Sequence, residues 1–248
     1  MKQLRALILI SCLLVIVNCR TRPPLQFQEN KQDMPSLIVV GSKSSTINTE
    51  DEQSGKYQEA IDAFKQVIKI EPDNADAQYE QSGKYQEAID AFKQVIKIEP
   101  DNVDAYSGLG LVYGSLGRYQ EAIDAFQQVI KIEPDYYLAH RSLGTTYREL
   151  GKHQNAVDAF KQAIKIKPDS AYVFTSLGHS YSILGKYQEA VDVFKQAIKI
   201  KPDNVNSHFN LGLTYLFLDN IGSALDEYKI LKALDNEKAN TLFKLIYP

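Results

Sequence analysis

Thiols are almost absent from this chain. Cys12 and Cys19 are its only cysteines, so everything beyond Cys19 is without disulfides, cysteine nucleophiles or thiolate metal sites. The apolar run at its start, Ala6 to Val17, is twelve residues broken only by Ser11. A membrane span needs roughly 20. There is no excess of basic charge either. The net charge is −3, which gives no reason to expect a nucleic-acid partner. Chemistry-bearing motifs are missing as well. None of the four histidines, His140, His153, His179 and His208, has the His-x-x-x-His spacing of a helical metal site. No glycine-rich phosphate loop and no G-x-S-x-G occur. These absences lead us to expect no enzyme activity, no catalytic residue, no metal, no cofactor and no small-molecule substrate.

What the chain does have is internal copying. The stretch Gly117 to Asp135 recurs in close copies beginning at Gly55, Gly83, Gly151 and Gly185, with a step of 34 residues from Gly83 onward and of 28 from Gly55 to Gly83. A period of this size decides the fold before anything else does. Within one copy the apolar residues Tyr119, Ala122, Ile123, Phe126, Val129 and Ile130 mark one face of a helix. Gln120, Glu121, Asp124 and Lys131 take the other face, and these recurring charges read as a solvated surface. Pro134 cannot continue a helix, and Asp135 offers a side-chain oxygen as N-cap for the next one. Just upstream, Tyr106, Leu109, Val112, Tyr113 and Leu116 give a second helical pattern. Gly117 follows it, where a positive φ closes a helix. Each unit is therefore two short helices, neither able to bury its apolar face alone, and stacking the units buries both.

This pattern resembles the tetratricopeptide repeat, a helix–turn–helix with large-x-x-Leu-Gly-x-x-Tyr, then Ala, Phe and Pro. Residues 103–136 supply Tyr106, Leu109, Gly110, Tyr113, Ala122, Phe126 and Pro134. Residues 137–170 supply His140, Leu143, Gly144, Tyr147, Ala156, Phe160 and Pro168, and 171–204 supply Phe174, Leu177, Gly178, Tyr181, Ala190, Phe194 and Pro202. Residues 205–236 supply His208, Leu211, Gly212, Tyr215, Ala224 and Tyr228 but lack the proline. The resemblance implies an all-α fold: a solenoid of antiparallel helix pairs in a right-handed superhelical array. Ala239, Leu242, Phe243 and Ile246 then form a capping helix at 236–247.

The N-terminal part reads differently. Lys2 and Arg5 precede the apolar run, as in an export signal over 1–19. The run ends in Ile16-Val17-Asn18-Cys19, which resembles a bacterial lipobox with Cys19 as the lipidated residue. Asn18 departs from the usual small residue there. Residues 20–54, with Pro23, Pro24 and Pro35, read as a flexible tether. The array then occupies 55–248, opening with two partial repeats, 55–74 and 75–102. Glu52 to Asn74 and Glu80 to Asn102 are identical, and between the two second helices only Ala75 to Ser82 remain of a first helix. A two-turn helix at Ala75–Gln81, broken from the next at Gly83, is expected.

The resemblance also implies a function. In this family the first helices line a concave groove that holds a protein or peptide. Carried over position by position, the candidate groove residues are Arg141, Thr145, Arg148, Tyr172, Thr175, His179, Phe209 and Leu213. Two guanidinium groups seven residues apart on one helix face suit an acidic ligand segment, and Phe209 with Leu213 suits an apolar residue after it. The opposing reading is that both arginines pair with Glu149 and other local acids. The expectation is an interaction scaffold in the cell envelope, held to the membrane by a lipid on Cys19, or else secreted. Self-association, or service as an accessory subunit of an enzyme or of a secretion or pilus assembly, are the other readings.

Overall fold

The computed structural model describes residues 75–247 and, apart from these, Gly55. The export segment 1–19 with Cys19, the tether 20–54 and the partial repeat 55–74 lie outside the described residues. Those described are helical, with no strand among them: α1 (Ala75–Ile98), α2 (Val103–Ser115), α3 (Tyr119–Ile132), α4 (Tyr137–Glu149), α5 (His153–Ile166), α6 (Ala171–Ile183), α7 (Tyr187–Ile200), α8 (Val205–Phe217), α9 (Ile221–Leu234) and α10 (Asn236–Ile246). The chain divides into two compact units, one ending at Pro134 and the other beginning at Asp135.

In the unit that ends at Pro134, α1 departs from expectation. It is one unbroken helix of 24 residues running through Gly83. The physical reason lies in what precedes that glycine. Where the next unit has Leu109, Val112 and Leu116, this stretch has Ala75, Gln78 and Ser82. Ala75 to Ser82 carries too little apolar surface to repay folding back, whereas running a helix through one glycine costs only about 1 kcal/mol. From Ala88 onward the expected face is formed: Ala88, Ile89, Phe92 and Val95 are buried. So are Leu109, Val112 and Tyr113 of α2, and Ile123, Phe126 and Val129 of α3.

The turn from α2 to α3 shows how every regular unit reverses. Gly117 has φ 70. Its N–H donates to Gly114 O at 3.1 Å, and the Arg118 N–H donates to Tyr113 O at 2.9 Å. That pair of bonds is the Schellman closure, which satisfies two orphan carbonyls and needs a left-handed residue. Gly151 and Gly185 repeat it at φ 77 and 74. In the last repeat Asp219 takes the glycine's place at φ 56, and the Asn220 N–H still reaches Tyr215 O at 2.8 Å.

The other connection corrects one detail. The N-cap is not Asp135, because Pro134 and Asp135 themselves form the turn and α4 has Tyr136 at its N-cap. Where that position holds asparagine the side chain does cap: Asn102 Oδ1 accepts from Ala105 N at 2.8 Å, and Asn204 Oδ1 from Ser207 N at 3.1 Å.

In the unit that begins at Asp135, one core joins Val157, Phe160, Val173, Leu177, Tyr181, Val191, Phe194 and Leu211. The phenylalanines sit against glycine backbone. A Cβ on Gly178 would lie 2.6 Å from a ring carbon of Phe194, and one on Gly144 would lie 2.6 Å from Phe160. The small residue is thus the seat of the ring. The last repeat varies this arrangement. At Gly212 the near atom is Cδ2 of Leu242, from α10, while Tyr228 pairs at the edge with Phe243, ring centroids 5.2 Å apart. Ala239, Leu242 and Ile246 of α10 are buried as expected of a cap, but Phe243 is 41% exposed. His208 fills the large buried position. Its Nε2 lies 2.8 Å from Pro202 O, which can only accept, and its Nδ1 lies 2.6 Å from Glu227 Oε2.

Candidate functional site

All eight candidate groove residues fall in the unit that begins at Asp135, on α4, α6 and α8. Several of their polar atoms join one first helix to the next. The Thr145 hydroxyl donates to Arg141 O at 3.1 Å and lies 3.3 Å from the Tyr172 hydroxyl. The Thr175 hydroxyl donates to Ala171 O at 2.8 Å, lies 2.6 Å from Ser207 Oγ and accepts from Asn204 Nδ2 at 3.4 Å. Ser182 and Thr214 make a further rung at 3.3 Å. Thr145 and Thr175 therefore serve as cross-links between helices. Phe209 and Leu213 are half-buried and pack against the terminal cluster of Leu216, Ala224, Leu231, Ala239, Leu242 and Ile246.

Arg141 and Tyr172 lie together. The guanidinium carbon stands 5.8 Å from the centre of the Tyr172 ring, a cation–π distance. Tyr172 is 44% exposed, which is uncommon for a large ring in a packed array.

Arg148, His179 and His153 form the second group. Arg148 ends α4, His153 begins α5 and His179 lies late in α6. The Arg148 side chain is 22% exposed. Its Nε and Nη2 donate to Glu149 Oε1 at 3.3 and 2.8 Å, and its Nη1 to Ser176 Oγ at 3.4 Å. The pairing with Glu149 is the local ion pair that the opposing reading foresaw. Burial pulls the Arg148 pKa down, but Tyr172 and Glu149 together outweigh it and hold the pKa above the ordinary value. His179 is pushed down to about 4, first by burial and then by the charges of Arg148 and His153. His153 is lowered too, by burial and Arg148, with Glu149 opposing. Both imidazoles are therefore neutral at pH 7. The Nδ1 atoms of His153 and His179 are buried and find no hydrogen-bond partner among the described residues. Each such bare buried nitrogen costs about 1–3 kcal/mol.

His153 and Ser176 were not among the groove residues read from the repeat. His153 carried a visible signal, since it stands where α3 and α7 begin with Tyr119 and Tyr187. Among the described residues no group of three histidine or carboxylate side chains is arranged to hold a metal ion.

Paired helices with glycine-closed turns, aromatic rings seated on glycine backbone and a terminal covering helix define an α-helical repeat protein. The chain carries tetratricopeptide repeats. Models of that repeat match residues 53–80, 81–117 and 178–218, residues 103–169, and residues 159–192. Among solved structures, MamA is similar at 25% identity with a TM-score of 0.61, covering 67% of this chain and 98% of that one. A MamA fragment from Desulfovibrio magneticus RS-1 is similar in fold at 18% identity with a TM-score of 0.63, covering 73% of this chain and 96% of that one. Among curated proteins the sequence finds no match.

Proposed function

We propose that this chain is a non-catalytic scaffold that holds a protein or peptide partner on the face formed by α4, α6 and α8. We further propose that it is exported and held in the cell envelope by a lipid on Cys19. The observation that carries the binding reading is the Arg141–Tyr172 pair, a cation stacked on an exposed aromatic ring with a second guanidinium on the same helix. Such a surface suits a carboxylate laid against an aromatic ring. The half-buried Phe209 and Leu213 leave part of their surface for an apolar residue beyond it. The anchor reading rests on the apolar run that ends at Cys19.

Peptide display against the purified array tests the first part. It should enrich segments with an acidic residue followed by an apolar one. Arg141→Glu combined with Tyr172→Ala should abolish the enrichment while leaving helicity nearly unchanged, with melting lowered only by the loss of the Thr145–Tyr172 contact. Undiminished enrichment would move recognition to another face. For the anchor, a palmitate analogue should label the full chain and fail to label Cys19→Ala; a labelled Cys19→Ala protein refutes lipidation there.

A further inference from the structure

We propose that Arg148, His153 and His179 form a subsite for a carboxylate of the bound partner, and that Glu149 occupies this guanidinium until the partner arrives. The inference rests on the reading of the α4–α6–α8 face as the binding face, and it names the group recognised there.

Three observations converge on an anion. First, Arg148 at the end of α4 reaches Ser176 of α6 at 3.4 Å, one turn before His179, and His153 opens α5 just past the same turn, so the groups there are a permanent cation and two imidazoles. The buried Nδ1 of each imidazole lacks a hydrogen-bond partner among the described residues. A cation is the wrong ligand for such a place, because Arg148 would repel it. Second, a carboxylate already sits on the guanidinium. Glu149 Oε1 accepts from both Nε and Nη2 of Arg148. This is an internal copy of the contact an acidic partner would make, and Glu149 is the next residue in the chain, partly exposed and free to swing aside. Third, Arg148, His153 and His179 are each partly exposed, so a carboxylate from outside meets their open edges, while the two Nδ1 atoms lie beneath, shielded from water. Charge-assisted bonds strengthen where water is excluded.

The charges that act on His179 are Arg148 from α4 and His153 from α5; α7 and α8, which also pack against α6, add none. On His153 the acting charges are Arg148 and Glu149. Among the described residues no carboxylate therefore holds His179 in its charged form. A carboxylate brought in by a partner would do so, and binding would take up a proton. One proton taken up per carboxylate bound makes affinity rise by at most about tenfold per unit fall in pH.

The probe is an acetylated, amidated hexaglutamate peptide, titrated into the full chain and into Glu149→Gln, His179→Gln and His153→Gln. Binding is read by calorimetry, and the histidine ring resonances by NMR. Glu149→Gln, which frees Arg148, should bind the peptide several-fold more tightly. In the native chain the rings of His153 and His179 should shift on binding, their pKa values should rise, and affinity should climb as pH falls from about 7.5 to about 5.5. His179→Gln should flatten that climb, with its folding checked by circular dichroism. A purely structural role for these residues would not make Glu149→Gln bind better. If the peptide binds but the two rings stay silent and Glu149→Gln is unchanged, the subsite is refuted while the binding face stands. If the peptide binds at no pH, both the subsite and the acidic-partner reading fall.

Discussion

The state of His179 makes a direct prediction about stability. Its folded pKa is about 4, against about 6.5 for an unperturbed imidazole. The cause is burial, followed by the nearby Arg148 charge and His153. Above pH 6.5 the ring is neutral whether the chain is folded or not, and the group adds no pH dependence. Below that, the unfolded chain binds a proton that the folded chain refuses, so folding weakens as pH falls. The slope is about 1.4 kcal/mol per pH unit until the folded ring itself titrates, and the total is about 3 kcal/mol at most. His153, lowered for the same reason, pushes in the same direction. Glu227, raised by burial against the opposing pull of His208, pushes the other way: its contribution is present at low pH and lost as pH rises through its folded pKa.

The useful quantity is therefore a difference. Urea unfolding of the native chain and of His179→Gln, followed by circular dichroism from about pH 7.5 to about pH 4, should show the native chain losing about 3 kcal/mol more. NMR titration of the His179 ring supplies the independent check. A folded-state pKa near 6.5, or parallel pH profiles for the two proteins, would show that Arg148 and burial do not act on this ring as described.

Two further predictions concern packing. Phe160 is fully buried against the backbone of Gly144, so Phe160→Ala should cost about 3–5 kcal/mol in urea unfolding; a loss below about 1 kcal/mol would mean that the repeats do not interlock through this ring. Gly83 lies inside α1, with nothing within 4 Å of an added Cβ. Gly83→Ala should therefore stabilise the protein by about 0.4–1 kcal/mol. A destabilisation would mean that the chain reverses at Gly83 as it does at Gly117.

Much of the fold was legible because it is written several times. The positions of Leu109, Gly110, Tyr113, Ala122 and Phe126 recur at Leu143, Gly144, Tyr147, Ala156 and Phe160, and again at Leu177, Gly178, Tyr181, Ala190 and Phe194. A side chain that must interlock with a copy of itself leaves that imprint. The glycine closures were legible for a similar reason, since only a left-handed residue permits the two Schellman bonds. What was misread lies where the copying fails. At α1 a truncated first helix removed the incentive to turn, and a glycine alone did not impose it. At the end of the array, Leu242 of α10 took the place against Gly212 that an aromatic residue of the second helix fills elsewhere.

The candidate site was hidden for a different reason. Reading the first-helix face by register assumes that residues one period apart do equivalent work. The bonds that build this face obey other spacings. Thr145 meets Tyr172 at a separation of 27 residues, Arg148 meets Ser176 at 28, and Thr175 meets Ser207 at 32, against a period of 34. Each bond joins side chains at different positions of successive helices, so no comparison of equivalent positions reveals it. Thr145 and Thr175 lie on α4 and α6, and their hydroxyls are engaged by neighbours that register does not pair. His179 likewise feels the charges of Arg148 and His153 across separations that are not the repeat period. A repeat fixes its core with the contacts that recur, and it gains an individual surface from the contacts that do not. In this chain the individual surface is the face of α4 and α6 together with the start of α5, where the repeat's tyrosine has become His153 and a guanidinium acts on two neutral rings.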